Sequence, residues 1–254
     1  MPIKGAELAL GLTLLLCAHG AWAEPAHAKY GLSAVPLAQE HSYLQDPKQP
    51  APDFWNLNAY YVSQPDESAC SAAAVSMVLN ALLNAERPRG DQERNITPAG
   101  LLKKIQGDWK PRLAPKGLDG RHGVTLGQLE IFLKAGLSEY SRFPFIVERH
   151  EVAAVDAQGL ERLREALREN ERNAHDFILL HFVQDELTGA PGGPFPHVSP
   201  VGAYDAVRRK VLIFDVDRDW YEPYWVSDED LLRALAHPTK AFGRGGVLRV
   251  GRAP

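Results

Sequence analysis

The chain has 254 residues, 45% of them hydrophobic, and its 28 lysines and arginines against 32 aspartates and glutamates give a net charge of -4. That balance argues against a nucleic acid or an anionic membrane surface as partner. The length supports one substantial hydrophobic core, and neither an internal repeat nor a low-complexity tract divides it.

Residues 1 to 23 read as a cleavable export signal: Lys4 precedes an apolar stretch from Leu8 to Ala18, and the small-residue pattern Ala21-Trp22-Ala23 precedes Glu24. The stretch is shorter than the roughly 20 residues of a membrane-spanning helix, so cleavage after Ala23 and a periplasmic or secreted product free of the membrane are expected. Cys17 lies inside this signal, and the leucines at 14 to 16 are unlike the small residues that precede a lipid-attachment cysteine. The exported chain then holds a single thiol, Cys70, without a disulfide partner in an oxidising compartment. At this level Cys70 is either an inert core residue or a reactive one.

Residues 24 to 58, rich in Pro, Gln and Asn and without sustained period, are expected to form an extended N-terminal arm, leaving 59 to 254 as the single domain. From Ser68 to Leu83 apolar residues cover most faces of a helix, predicting a buried central helix opened by Cys70, with Asp66 or Ser68 as its cap. A polar, turn-prone region follows, with a short helix after Thr97. "VTLGQLEIFLKAGL" and "GLERLREALRENERN" carry helical spacing, the second with a solvated charged face. "DFILLHFV", "HVSPVGAYD", "KVLIFDVD" and "GGVLRVG" then read as strands separated by Gly- and Pro-rich turns. Helices first and antiparallel strands afterwards predict an α+β domain.

A cysteine at a helix N-terminus meets the positive end of the helix dipole, which favours the thiolate. Nucleophilic work also needs a base and a group that stabilises the oxyanion. Eight histidines lie beyond the signal. His27 and His41 fall in the arm, His150 and His237 in charged connections, His181 inside a strand as a core histidine, and His122 and His175 beside turns. His197 opens the strand "HVSPVGAYD", and Asp215 ends the apolar run "KVLIFD". A hairpin centred on residue 206 would set these two opposite one another, on the same side of their pleats, where an aspartate can fix the tautomer of a histidine. An ordinary hairpin end satisfies the same spacing. Gln64, six residues before Cys70, offers an amide for the oxyanion, or is only a surface residue in a polar turn.

Taken together, "YYVSQPDESACSAAAVSMVLNALL", "GVTLGQLEIFLKAGL" and "FPHVSPVGAYDAVRRKVLIFDVDRDWYEPYWV" resemble the catalytic domain of phytochelatin synthases, a papain-like cysteine transferase family, over most of residues 55 to 236. The resemblance implies a papain-like α+β fold in which a central helix carrying the cysteine packs on an antiparallel sheet. It implies cleavage of the Cys-Gly peptide bond of glutathione, with Cys70 as nucleophile, His197 as general acid and base, Asp215 orienting it, and Gln64 with the Cys70 N–H stabilising the oxyanion. Arg218 and Tyr221 match family residues near that aspartate, and a guanidinium there is expected to pair with a substrate carboxylate.

The γ-glutamylcysteinyl acyl-enzyme would pass to water or to the amine of a second glutathione. Likeness to shorter bacterial relatives, which have no cysteine-rich C-terminal extension, favours water. No resident metal or cofactor is expected, since no Cys/His cluster has ligand spacing; heavy metals such as cadmium would enter as the substrate's thiolate. Ser71, Pro196 and Glu222 depart from the family pattern next to the site. Two other readings stand beside this one, a papain-like peptidase or amidase acting on other exported peptides and a non-catalytic thiol or metal-thiolate binding protein. A homodimer is left open as the assembly.

Overall fold

The computed structural model describes residues 28–83, 95–118, 120, 121 and 123–253. Residues 1–23, expected to form an export signal, and His27 and His122 lie outside the described residues. Within them, seven strands form one antiparallel sheet in the order β1 (Val35–Pro36), β6 (Tyr224–Ser227), β5 (Lys210–Ile213), β4 (Pro196–Asp205), β3 (Asp176–Val183), β7 (Gly246–Arg252) and β2 (Phe145–Glu151). β3 to β5 and β7 are the four strands legible in sequence. β2 is not, because its "FIVERHE" has one face in solvent and a charged second half that resembles a connection.

β3 is buried along its whole length, and its side chains alternate between two cores. Phe177 and Leu179 face one, Ile178, Leu180 and Phe182 the other. The first core is filled by α2 (Pro52–Asn58), α3 (Cys70–Leu83), α4 (Pro98–Lys104) and α6 (Leu126–Tyr140), the second by α7 (Ala157–Asn170) and α9 (Asp228–Ala236). The fold is therefore α+β, with the cysteine-bearing helix packed on an antiparallel sheet, as the sequence leads one to expect.

Sandwiched between the sheet and α6, α3 buries every face, which is why its apolar residues show no stripe. Ala72, Ala73 and Ala74, on three successive faces of the helix, are all fully buried. Asn80 fixes its far end by pairing with both the N–H and C=O of Ile96, at 2.8 Å each.

The N-terminal segment is more than an extended arm. It supplies β1, α1 (Ser42–Gln45) and α2, and Tyr43, Phe54 and Leu57 enter the first core. Polar contacts bind it as well: Asn170 donates to Asp53, and Tyr43 Oη donates to Glu171 at 2.9 Å. Burial pushes the Glu171 carboxyl up to about 7 against the hydrogen bonds from Tyr204 N–H and Tyr43. These anchors lie far apart in sequence, so no local period announces them.

The β4 to β5 hairpin departs from the arithmetic of a turn centred on residue 206. Asp205 accepts the N–H groups of Val207 and Arg208 at 3.0 and 2.9 Å, and Arg209 adopts the left-handed conformation, so the turn spans 206 to 209 and Asp205 pairs with Lys210. Continued unbroken, that register would put His197 and Asp215 on opposite faces. A β-bulge at Gly202 shifts the pairing by one residue, so that Val201 pairs with Ile213 and the two residues return to the same face, two positions out of register.

Gly202 is required there because a Cβ would lie 2.6 Å from the ring of Phe214, which is itself wedged between Phe54 and Tyr61 at centroid distances of 5.4 and 5.0 Å. Gly202→Ala is expected to destabilise the protein by about 1–3 kcal/mol and to displace Asp215, the next residue. Urea unfolding measures the first effect; an unchanged midpoint would mean that the ring finds room elsewhere.

Candidate active site

Cys70 is the first residue of α3 and is 7% exposed. The carbonyl of Ala69 accepts from Ala72 and Ala73 at 3.0 and 3.1 Å, which places Ala69, not Asp66 or Ser68, at the cap position. Asp66 is engaged one step earlier, accepting the N–H of Ser68 at 2.9 Å as well as its hydroxyl. Alanine has no side-chain acceptor, so no side chain among the described residues caps the first-turn amides. They and the helix dipole bear on the thiol instead.

His197, at the start of β4, is 6% exposed, and its Nε2 lies 2.8 Å from Oδ1 of the fully buried Asp215. Cys70 is the other group whose interaction bears on its charge. Burial alone would strip the proton from His197. The Asp215 charge and hydrogen bond, joined by Cys70, outweigh burial and hold its pKa well above the ordinary histidine range. Burial likewise opposes ionisation of Asp215, but the imidazolium, its hydrogen bond and those of Gln184 and the Asp217 N–H keep that carboxyl below its usual range. The edge of His197 also meets the Phe182 ring at 5.6 Å, which limits its rotation.

Asp215 gathers more donors than the sequence discloses. Oδ1 also accepts the Asp217 N–H at 2.9 Å, and Oδ2 accepts Gln184 Nε2 at 2.9 Å and Tyr224 Oη at 2.8 Å. Its carbonyl oxygen accepts the hydroxyl of Tyr61 at 2.5 Å. A polar residue directly after the apolar run of β3 is the one available signal for Gln184; Tyr224 and Tyr61 give none.

The segment before Cys70 runs alongside the segment after Asp215. Gln64 N–H donates to the Val216 carbonyl at 2.7 Å, and Arg218 Nη1 donates to the Tyr61 carbonyl at 3.1 Å while its guanidinium lies 4.2 Å from the Tyr61 ring centroid. Gln64 thus stands beside the His-Asp pair, and its side-chain Oε1 is buried without a hydrogen-bond partner. Arg218 remains exposed at the rim. The ring of Tyr221 is buried on the α7 and α9 side of the sheet, 5.5 Å from Tyr30 and 6.0 Å from Tyr224.

Two further histidines have partners of their own. His181 is buried with Nε2 2.8 Å from the Val124 carbonyl, and His237 pairs with Glu186 at 2.8 Å on the surface. Among the described residues no group of three or more His, Cys, Asp or Glu side chains converges as a metal site, and no helix is long and apolar enough to cross a membrane.

A helix-borne thiol facing a buried histidine-aspartate pair on an antiparallel sheet defines an α+β protein with a candidate thiol-based active site. Comparison with known families gives its lineage: the phytochelatin synthase profile matches residues 38–245, and the chain belongs to that family. It is 26% identical over 212 residues to glutathione gamma-glutamylcysteinyltransferase 3 of Lotus japonicus, covering 79% of this chain and 38% of the relative. To glutathione gamma-glutamylcysteinyltransferase 1 of Arabidopsis thaliana it is 25% identical over 207 residues, 78% of this chain and 37% of the relative. The corresponding figures for enzyme 1 of Triticum aestivum are 25% over 205 residues, 77% and 35%. The chain thus spans little more than a third of the length of these curated relatives.

Proposed function

We propose that this protein cleaves the Cys-Gly bond of glutathione through a papain-like cysteine mechanism. The observation that carries the reading is the 2.8 Å contact between His197 Nε2 and Asp215, with Cys70 also acting on the same imidazole. Family membership supplies the substrate class.

In this reading the Cys70 thiolate adds to the carbonyl carbon of the cysteinyl-glycine bond. Negative charge moves to the carbonyl oxygen, where the Cys70 N–H and the Gln64 amide are the proposed donors. Collapse breaks the C–N bond, His197 gives its proton to the departing glycine amine, and a γ-glutamylcysteinyl thioester remains. His197 then takes a proton from the second nucleophile. Water yields γ-glutamylcysteine, and the amine of another glutathione yields a phytochelatin; water is the main acceptor in this proposal. Heavy-metal ions take part as thiolate complexes of the substrate, without a resident site.

Arg218 is proposed to pair with a substrate carboxylate at the rim. Tyr221, the second family match near Asp215, is proposed to support substrate binding through the packing of its ring on Tyr30 and Tyr224. Arg218→Ala is expected to raise KM for glutathione by about tenfold with kcat within about twofold; steady-state kinetics decides, and an unchanged KM would return Arg218 to a structural role over Tyr61. Removal of residues 1 to 23 on export is part of the same proposal and puts the enzyme in the periplasm or outside the cell.

The test is to incubate the protein with glutathione, with and without cadmium, and to quantify glycine, γ-glutamylcysteine and oligomers. Glycine release no greater than that of Cys70→Ala would overturn the reading. Oligomers in excess of the dipeptide would make transfer the main activity. Release from peptides without a γ-linkage at equal rates would favour a general peptidase.

A further inference from the structure

We infer that Gln184 and Tyr224 are positioning residues that set the proton affinity of the His197-Asp215 pair by holding the second carboxylate oxygen of Asp215. The inference rests on the proposed role of that pair and names two residues that lie outside all three of the sequence motifs of the family resemblance or, for Tyr224, at an unspecified position within one.

A fully buried carboxylate has no water to satisfy its four lone-pair sites, so each must be met by the protein. Oδ1 is met by His197 and the Asp217 N–H, Oδ2 by Gln184 Nε2 at 2.9 Å and Tyr224 Oη at 2.8 Å. Gln184 is itself 6% exposed and Tyr224 is fully buried, so neither donor has solvent as an alternative partner. Gln184 acts at two points. Its backbone N–H holds the Phe195 carbonyl at 2.9 Å, two residues before His197, while its side chain holds Asp215. One residue at the end of β3 therefore ties the strand that carries the histidine to the segment that carries the aspartate.

Tyr224 is fixed in turn by its ring. It packs edge-on against Tyr30 and Tyr221, each 6.0 Å away, so the hydroxyl points at Oδ2 without side-chain freedom to lose. Burial and the facing Asp215 charge keep its proton in place, so it is a permanent donor.

Each donor on Oδ2 disperses the carboxylate charge that the imidazolium feels. Removing one, while three remain to keep Asp215 in place, makes the carboxylate a stronger partner for the imidazolium. The proton is then held on His197 to higher pH, and it is handed less readily to a leaving amine. The titratable and charged groups facing this assembly are Cys70 from α3, His181 from β3, Asp185 from the start of α8 (Asp185–Thr188), Asp217 and Arg218 from the segment after β5, and the tyrosines Tyr30, Tyr61 and Tyr221. None of them is altered by the test.

The test compares wild type, Tyr224→Phe and Gln184→Met. Two profiles are recorded against pH: kcat/KM for glycine release from glutathione, and the rate at which iodoacetamide alkylates Cys70. In both variants the alkaline inflection of both profiles is expected to move to higher pH. kcat is expected to fall about ten- to a hundredfold, the usual weight of a hydrogen bond to a charged group, with KM within about twofold. Tyr224→Phe keeps the aromatic packing and carries the test if Gln184→Met fails to fold. Inflections at the wild-type pH, accompanied only by a lowered melting temperature, would reduce both residues to structural support and overturn the inference. Alkylation requires no substrate, so a displaced alkylation profile without any glycine release would overturn the glutathione reading while upholding this one.

Discussion

Cys70→Ser is expected to lower glycine release from glutathione by at least about 10⁴-fold while leaving the melting temperature nearly unchanged. The substitution is close in volume, and it sits at a helix start where Ser is well tolerated, so folding has little reason to change. The chemistry has every reason to. A hydroxyl ionises far less readily than a thiol, and a His197 already held protonated by Asp215 is a poor base for removing its proton. The serine variant therefore has a weaker nucleophile and no base to activate it. Glycine release with single-turnover and steady-state sampling measures the loss; activity within tenfold of wild type would remove Cys70 from the reaction.

Asp215→Asn is expected to lower kcat by about 10²- to 10⁴-fold and to move the alkaline limb of kcat/KM to lower pH. The sign follows from the competing effects on His197. Burial favours its neutral form and the Asp215 charge favours the imidazolium; in the wild type the charge prevails. Asparagine removes the charge and keeps the burial, so the proton is lost earlier as pH rises.

The amide also creates a mismatch. Keeping its oxygen toward His197 turns its NH₂ toward Gln184 Nε2, donor against donor. Stability should follow the same pair. Its contribution in the wild type is lost as pH rises through the raised value of His197 and as pH falls through the lowered value of Asp215. In Asp215→Asn both dependences weaken. A wild-type pH profile with reduced amplitude would mean that Asp215 contributes position alone.

Much of the site is legible in the sequence. A run of small and apolar residues on all faces identifies α3 as buried, and the change from polar turn to apolar helix marks Cys70 as its first residue. A histidine opening one strand and an aspartate closing the next identify the pair, and the motif resemblance joins them to the cysteine. The capping expectation fails because Asp66 finds a nearer partner in Ser68, a competition between two local hydrogen bonds that residue preferences rank too closely to separate. The N-terminal segment departs from its expected extended form for a different reason. Short elements such as α1 and α2 are stabilised by partners more than a hundred residues away, Glu171 for Tyr43 and Asn170 for Asp53, and so leave no local pattern.

Neighbours along the chain suffice to specify the buried helix, the main strands, the identity of Cys70, His197 and Asp215, and the family to which they belong. How those residues meet is settled in three dimensions. Simple hairpin spacing puts His197 and Asp215 on one face by placing the turn at 206. The actual turn would separate them, and only the bulge at Gly202, permitted by the missing Cβ beneath Phe214, restores the alignment. Tertiary packing also brings Gln184 and Tyr224 to Asp215, and it buries Tyr221 on the α7 and α9 side of the sheet. Side-chain alternation has a period of two, so a single inserted residue inverts every facing relation beyond it. Local preference fixes the strands but leaves that parity open; the packing of Phe214 against Gly202 sets it.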